Sequence, residues 1–306
     1  MATTVTAPVG NSISLASKYL QMLDEVYKRE SLTRMFEMAP ELVRWDGAKS
    51  VKLFEINPVA LSNYSRNAGF VPGDVDGSWN TYEIEIDRGR SFMVDAMDNE
   101  ETMGLTFGRL LGEEERRYVI PELDAYRFAK LAGASGVDGA TETISTAAGA
   151  IAAIDLATAS MDDNEVPYEG RILFVNPTFY RYLKGGLERR ILNGDNNVDY
   201  NVEYYDDMRV ISVPSARFNT SVTLNNATAH DGAGGYTAAG ATINFMIVHP
   251  DAVMGVVKHR IPNIFSPAEN QEADAWKLNY RIYHDIFVKK NKAKGIYVNA
   301  PATSSS

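Results

Sequence analysis

The sequence contains no cysteine, which excludes disulfides, thiolate nucleophiles and cysteine-ligated metal sites together. Histidine is nearly as scarce: His230, His249, His259 and His284 are the whole supply, and none stands in an H-E-x-x-H pattern. No G-x-S-x-G, Walker loop or G-x-G-x-x-G occurs either. An excess of positive charge is missing too, since 30 Lys and Arg face 40 Asp and Glu for a net charge of −10. Gripping nucleic acid through its phosphates needs a basic face, so this balance argues against that task, though not against merely surrounding DNA. No apolar run approaches about 18 residues and no basic-then-apolar segment opens the chain, which disfavours membrane spanning and signal-peptide secretion. What remains is a chain of 306 residues, 45% hydrophobic, with 23 Gly and 12 Pro, the composition of a folded protein of about two domains.

The polar residues present form no catalytic constellation. His249 precedes a Pro-Asp turn and His284 lies in an alternating strand, where hydrogen-bonded sheet histidines are expected. Asp74-Val75-Asp76-Gly77 resembles the start of a calcium loop but lacks the later ligands and the closing Glu, so it reads as a loop tip. Glu113, Glu114 and Glu115 are followed at once by Arg116 and Arg117, the pattern of a solvated helix face. No catalytic, cofactor-binding or metal-ligating residue is assigned, and no enzyme is read here.

Along the chain, Met1 to Ser12 reads as a loose arm, and Ser14 to Arg29 as an amphipathic helix packing on another subunit or on its own domain. A short apolar cluster, Leu32, Met35 and Phe36, ends before Pro40. Ser50–Ile56 and Thr81–Asp87 read as strands, the second with Tyr82, Ile84 and Ile86 on one face and Glu83, Glu85 and Asp87 on the other. The polar stretch Asn57–Asn80 between them is long for a connection inside a compact domain. If the arms pair, a hairpin reaching on the order of 60 Å results, and no small domain covers both of its faces. From Asp98 to Ala132 helical spacing continues over about 50 Å, with Pro121 as a kink or boundary and Gly104, Gly108 and Gly112 allowing close approach.

A Gly/Ser/Ala loop at Gly133–Gly139 leads to a helix at Ala147–Ser160, a buried strand at Arg171–Asn176 and a helix at Thr178–Leu192. Short strands are expected at Val198–Tyr205, Met208–Val213 and Ile243–Val248, with Arg217–Gly240 as an exposed, surface-variable excursion. Strands at Ala252–Lys258, Trp276–Lys289 and Gly295–Asn299 close the chain. The run Lys289, Lys290, Lys292 and Lys294 is either a solvated hairpin turn or a contact with an acidic neighbour such as Glu83, Glu85 and Asp87.

Three stretches carry a resemblance: Pro121-Glu122-Leu123-Asp124-Ala125-Tyr126-Arg127-Phe128-Ala129, Arg171-Ile172-Leu173-Phe174-Val175-Asn176-Pro177, and Asp274-Ala275-Trp276-Lys277 through His284-Asp285. With the order of arm, hairpin, long helix, α/β body and final strands, the chain resembles the major capsid protein of tailed bacteriophages, with its Hong Kong 97 (Johnson) fold. The resemblance covers about residues 10 to 300, and the order of the parts makes it specific. It implies an α+β chain with an N-terminal arm at 1–47, an extended loop at 48–95 and a peripheral domain with spine helix at 96–135. An axial domain at 136–250 would follow, and 251–306 would return strands to the peripheral domain and a last strand to the axial sheet.

The implied function is structural: hexamers and pentamers of one chain forming an icosahedral virion shell around double-stranded DNA, with no membrane, no cofactor and no sequence-specific DNA binding. Subunit contacts are expected at Tyr64, Arg66, Phe70, Trp79, Glu83, Glu85, Lys289, Lys290, Lys292 and Lys294. Some members join neighbours through a lysine on the extended loop, but here Lys49 and Lys52 stand only at its base and none lies in 57–80, so such crosslinking is not expected. The short stretch before the first helix points to a separate scaffolding protein, and a portal is a further expected partner. An encapsulin-type compartment with protein cargo is the near alternative. A glycan-binding or hydrolytic α/β protein, suggested by 16 Tyr, is the distant one.

Overall fold

The computed structural model describes residues 31–38, 45–46, 49–57, 60–64, 66–67, 70, 76–96, 112, 114–186, 202–226, 234–260 and 263–302. The arm and helix expected before residue 30, residues 58–59, 65, 68–69 and 71–75 of the expected loop, the part of the expected long helix over 98–111 with Gly104 and Gly108, and 187–201 lie outside them.

Fifteen strands and three α-helices are described: β1 (Trp45–Asp46), β2 (Ser50–Asn57), β3 (Asp76–Glu83), β4 (Ile86–Asp95), α1 (Ile120–Ala132), β5 (Asp138–Thr141), α2 (Ala147–Asp163), β6 (Ile172–Val175), α3 (Pro177–Gly186), β7 (Tyr204–Tyr205), β8 (Met208–Ser212), β9 (Asn219–Leu224), β10 (Tyr236–Thr242), β11 (Phe245–Val248), β12 (Val253–Arg260), β13 (Asn263–Phe265), β14 (Ala275–Val288) and β15 (Ile296–Ala300). A six-stranded sheet runs β5-β15-β11-β6-β8-β7, with parallel pairs β15–β5 and β6–β8. A second sheet is built on β14, with β4 along one edge and β12 and β13 along the other.

The unbroken apolar text of β6 and β11 follows from burial on both faces of the six-stranded sheet. Leu173, Val175, Phe245, Ile247 and Tyr297 point into the layer of α2 and α3. Phe174, Met246, Val248, Ile296 and Val298 point the other way, toward Phe128, Leu131, Phe218 and Phe36. Local signals set the helix ends. Thr146 caps α2 by accepting from Gly149 N at 3.1 Å, and Asn176, just before Pro177, accepts from Phe179 N at 2.7 Å to cap α3.

Helix α1 ties the two sheets together. Its N-terminal half packs Ile120 and Leu123 on Leu278, Tyr280 and Ile282 of β14, and its C-terminal half sends Phe128 and Leu131 into the six-stranded sheet. Pro121 does mark a transition: Glu115–Val119 form a π-helical turn, with Ile120 N donating to Glu115 O. Proline has no N–H to give the carbonyl four residues back, and the wider turn accommodates that loss.

Asp124, fully buried on α1, accepts from Thr33 Oγ1 at 2.7 Å, from Thr33 N and Leu32 N at 3.2 Å and from Ser31 Oγ at 3.1 Å. Arg127 adds an ion pair to Glu37 at 2.8 Å. Together they seat Ser31–Glu37, placing Phe36 in the core while Met35 stays half-exposed. The same segment crosses Gly255 so closely that a Cβ there would lie 2.9 Å from Phe36 O, which reserves the position for glycine.

Arg217–Gly240 is not a simple excursion. Its ends are the antiparallel pair β9–β10, and Phe218 at its base is buried with its ring 5.1 Å from Phe128. Arg88 holds the far end, donating to the Glu122 carboxylate at 2.8 and 3.2 Å and to the carbonyls Asn225 O at 3.0 Å and Gly235 O at 3.2 Å. Thr, Ser and Ala fill β9 and β10, so their period-two signal is faint. Replacing Asp124 with Ala strands several buried donors and is expected to cost about 3 kcal/mol, lowering Tm by on the order of 5 °C. An unchanged thermal unfolding curve would contradict this account of the anchor.

Candidate assembly interface

Strands β2 and β3 pair without interruption from Ser50 opposite Glu83 to Asn57 opposite Asp76. Each has eight residues, so the described ladder is about 26 Å long at ~3.3 Å per residue. At its base the ladder ends because the chain changes sheets. The single strand expected over Thr81–Asp87 is in fact divided at Ile84–Glu85. There Ile84 N donates to Lys49 O at 2.9 Å, closing the hairpin, and Glu85 N donates to Asp285 Oδ2 at 3.1 Å, after which the chain joins β14 as β4. Burial keeps alternating across this switch, with Ile84 inside and Glu83 and Glu85 outside, so periodicity alone does not reveal it.

The two faces of the ribbon meet different surroundings. Val51 and Ile84 are buried, and Tyr82 half-buried, against Met254, Val256 and Phe287, with the Tyr82 and Phe287 rings 5.2 Å apart. The opposite face carries the cross-strand pair Phe54 and Trp79, with rings 5.0 Å apart and exposures of 46% and 51%. Gly77 makes this possible, because a Cβ there would meet the Phe54 ring at 2.5 Å. Tyr64 and Phe70 pair at 4.8 Å and are exposed, as are Leu61 and Arg66. Paired exposed aromatic side chains make a candidate contact surface, whereas single ones need no explanation.

Fixed charges hold the base. Asp285, fully buried, accepts from Lys130 Nζ at 2.6 Å, Tyr126 Oη at 3.1 Å and Ile286 N at 2.7 Å besides Glu85 N, and Lys130 also reaches Glu85 at 3.7 Å. Burial, and then the Asp285 carboxylate, push the Tyr126 phenol well above its ordinary range. Next to it, His284 lies edge-on to Tyr126 at 5.9 Å. Its Nδ1 is buried and, among the described residues, has no hydrogen-bond partner, unlike the hydrogen-bonded histidine expected. Burial first, then the Arg127 and Lys130 cations, hold it neutral far below its ordinary range. His249 does match the expectation, its ring lying 3.2 Å from Glu169 O and accepting from Asp251 N at 3.3 Å.

The lysine run is no hairpin turn. It belongs to a 3-10 turn, Lys290–Gly295, that carries the chain from β14 in one sheet to β15 in the other. Nor do these lysines reach Glu83, Glu85 or Asp87 within the chain: Lys292 faces Asp251 at 3.7 Å, Lys294 pairs with Asp138, Lys289 donates to Asp251 O, and Lys290 lies 3.5 Å from Asn80 Oδ1. Asp87 takes Arg281 instead, at 2.5 Å. Sequence reasoning missed Phe54, Lys130 and Asp285. A signal for Phe54 existed, because Ser50–Ile56 is apolar at both parities, the mark of a strand to be covered on both faces.

No protein-family model matches the sequence, and no curated protein sequence is similar to it. Solved structures do match. The mature capsid of bacteriophage PhiM1 is similar over 84% of this chain and 83% of its own, with a TM-score of 0.56 at 12% identity. The capsid of Cyanophage P-SCSP1u covers 85% of each chain, with a TM-score of 0.54 at 16% identity. A virus-like particle from Pyrococcus furiosus covers 92% of this chain and 98% of its own, with a TM-score of 0.53 at 14% identity. The fold is therefore the α+β Hong Kong 97-like capsid fold.

Because His284 stays neutral when folded, the unfolded chain binds one proton more once the pH drops below its ordinary value of 6.5. Stability is expected to hold above that pH and to fall below it by up to about 1.4 kcal/mol per unit. Urea unfolding between pH 5 and 8 measures the slope, and His284→Gln should flatten it; equal slopes in both proteins would refute the assignment.

Proposed function

We propose that this chain is the repeating subunit of a closed icosahedral shell, a phage head of hexamers and pentamers enclosing double-stranded DNA. The uncovered aromatic face of the β2–β3 ribbon carries the reading, since a ribbon buried on one side only needs a neighbour for the other. Closed symmetry repeats such a contact on every copy, and many modest contacts then hold without disulfides. The net charge of −10 suits a container that must not grip what is threaded into it.

In this reading 48–95 is the extended loop, 96–135 and most of 251–306 form the peripheral domain around β14, and 136–250 with the last strand form the axial domain around the six-stranded sheet. Residues 1–47 are the arm. Tyr64, Arg66, Phe70 and Trp79, joined by Phe54, lie against the next subunit, with Glu83, Glu85 and the Lys289–Lys294 run at the edges of the contact. A separate scaffolding protein and a portal complete the assembly, and the chain itself does no catalysis.

The near end-to-end match of the Pyrococcus furiosus particle keeps a compartment with protein cargo as the second reading. Negative-stain microscopy of the purified protein should show shells, rings or capsomers, and nuclease-protected DNA in native particles selects the phage head over the compartment. Phe54→Ser with Trp79→Ser should abolish assembly while leaving the monomer's Tm within about 2 °C, as expected for exposed sites. A monodisperse monomer under all conditions would sink both shell readings, and uniform shells from the pure chain would remove the need for scaffolding.

A further inference from the structure

Helices α2 and α3 share one face of the six-stranded sheet, and their charges are sorted by sign. Among the described residues α2 carries Asp155, Asp162 and Asp163 and no basic residue, while α3 over Pro177–Gly186 carries Arg181 and Lys184 and no acidic one. The outward stripe of α2 comprises Ala148, Ala152, Asp155, Leu156, Ala159 and Asp163, with Leu156 56% exposed near its centre. Small neighbours leave room for another helix to approach Leu156 closely.

The acidic side is locally unfavourable within one copy. Asp162 and Asp163 stand in the last turn of α2, at the negative end of its dipole. Arg171 compensates Asp162 at 2.6 Å, but among the described residues Asp163 has no ion-pair partner. Glu165, Asp206 and Asp207 nearby adopt left-handed φ values of 56°, 49° and 57°, with Tyr168 bonded to Asp206 at 2.5 Å. On α3, Lys184 lies over Tyr180 at 4.4 Å and Arg181 over Tyr182 at 5.2 Å, and among the described residues neither forms an ion pair. Among the described residues each helix lacks the charge that the other presents, and the two lie side by side on one face of the sheet.

We propose that α2 of one copy docks against α3 of a second copy, with Leu156 at the centre of the contact and Asp155 and Asp163 facing Arg181 and Lys184. Two different surfaces meeting in this way propagate head to tail and close into a ring when the rotation allows. The proposal rests on the shell reading above and names the contact that sets the ring.

Its test compares Asp155→Lys/Asp163→Lys, Arg181→Glu/Lys184→Glu and the fourfold swap with the wild-type chain, by mass photometry across a salt series. Each twofold variant should need about tenfold more protein for half-assembly, and the fourfold swap should return to within about threefold of wild type, magnitudes set by two exposed charge pairs. Mixing the two twofold variants should restore even-membered rings only, because the copies must then alternate. Leu156→Ser weakens the same contact without touching charge, so the test survives if one variant fails to fold. Wild-type shells whose assembly ignores these changes, or a fourfold swap that restores nothing, overturn this contact alone. A wild-type chain that never assembles overturns the shell reading and this contact together.

Discussion

The carboxylate of Asp285 sits where helix α1, strand β14 and the base of the β2–β3 ribbon converge, and it takes hydrogen bonds from all three. A buried carboxylate is tolerable only when its acceptor sites are filled, so the ammonium of Lys130, the phenol of Tyr126 and the amide of Glu85 are each held in place by the requirement to fill them. That requirement fixes the point at which the chain leaves one sheet for another. It thereby fixes which face of the ribbon lies on the body and which is left exposed. Burial, with the Arg127 and Lys130 cations second, explains why His284, one strand position away, stays neutral.

Much of the fold is legible in the sequence wherever burial is simple. The four apolar residues of β6, the Asn-Pro cap of α3 and the long alternating text of β14 each announce their element, because local chemistry and global packing agree there. Legibility fails where an element is stabilised by partners distant in sequence. The β9–β10 pair reads as a loop because its side chains are small and polar; it is held by Phe218 against α1 and by the guanidinium of Arg88, which no local pattern predicts.

The candidate interface shows the same division. Tyr64, Phe70 and Trp79 stand out as large rings in polar text, and the structure brings Tyr64 to Phe70 and Trp79 to Phe54. Their pairing depends on strand register, which a sequence states only indirectly. The lysine run illustrates the opposite error: four charges in close succession look like one patch, yet Lys292 and Lys294 turn to different carboxylates because a 3-10 turn spreads them.

The bond from Glu85 to Asp285 spans 200 residues of chain, and that of Arg281 to Asp87 spans 194. During synthesis at roughly 5–20 residues per second, the ribbon's inner residues Val51, Tyr82 and Ile84 therefore wait some tens of seconds for Met254, Val256 and Phe287 to emerge. Until then the ribbon has neither a fixed base nor a fixed direction. A nascent or truncated chain on the ribosome consequently cannot present its aromatic face in the orientation that a finished molecule requires. In the shell proposed above, this topology makes completion of the polypeptide a condition for association.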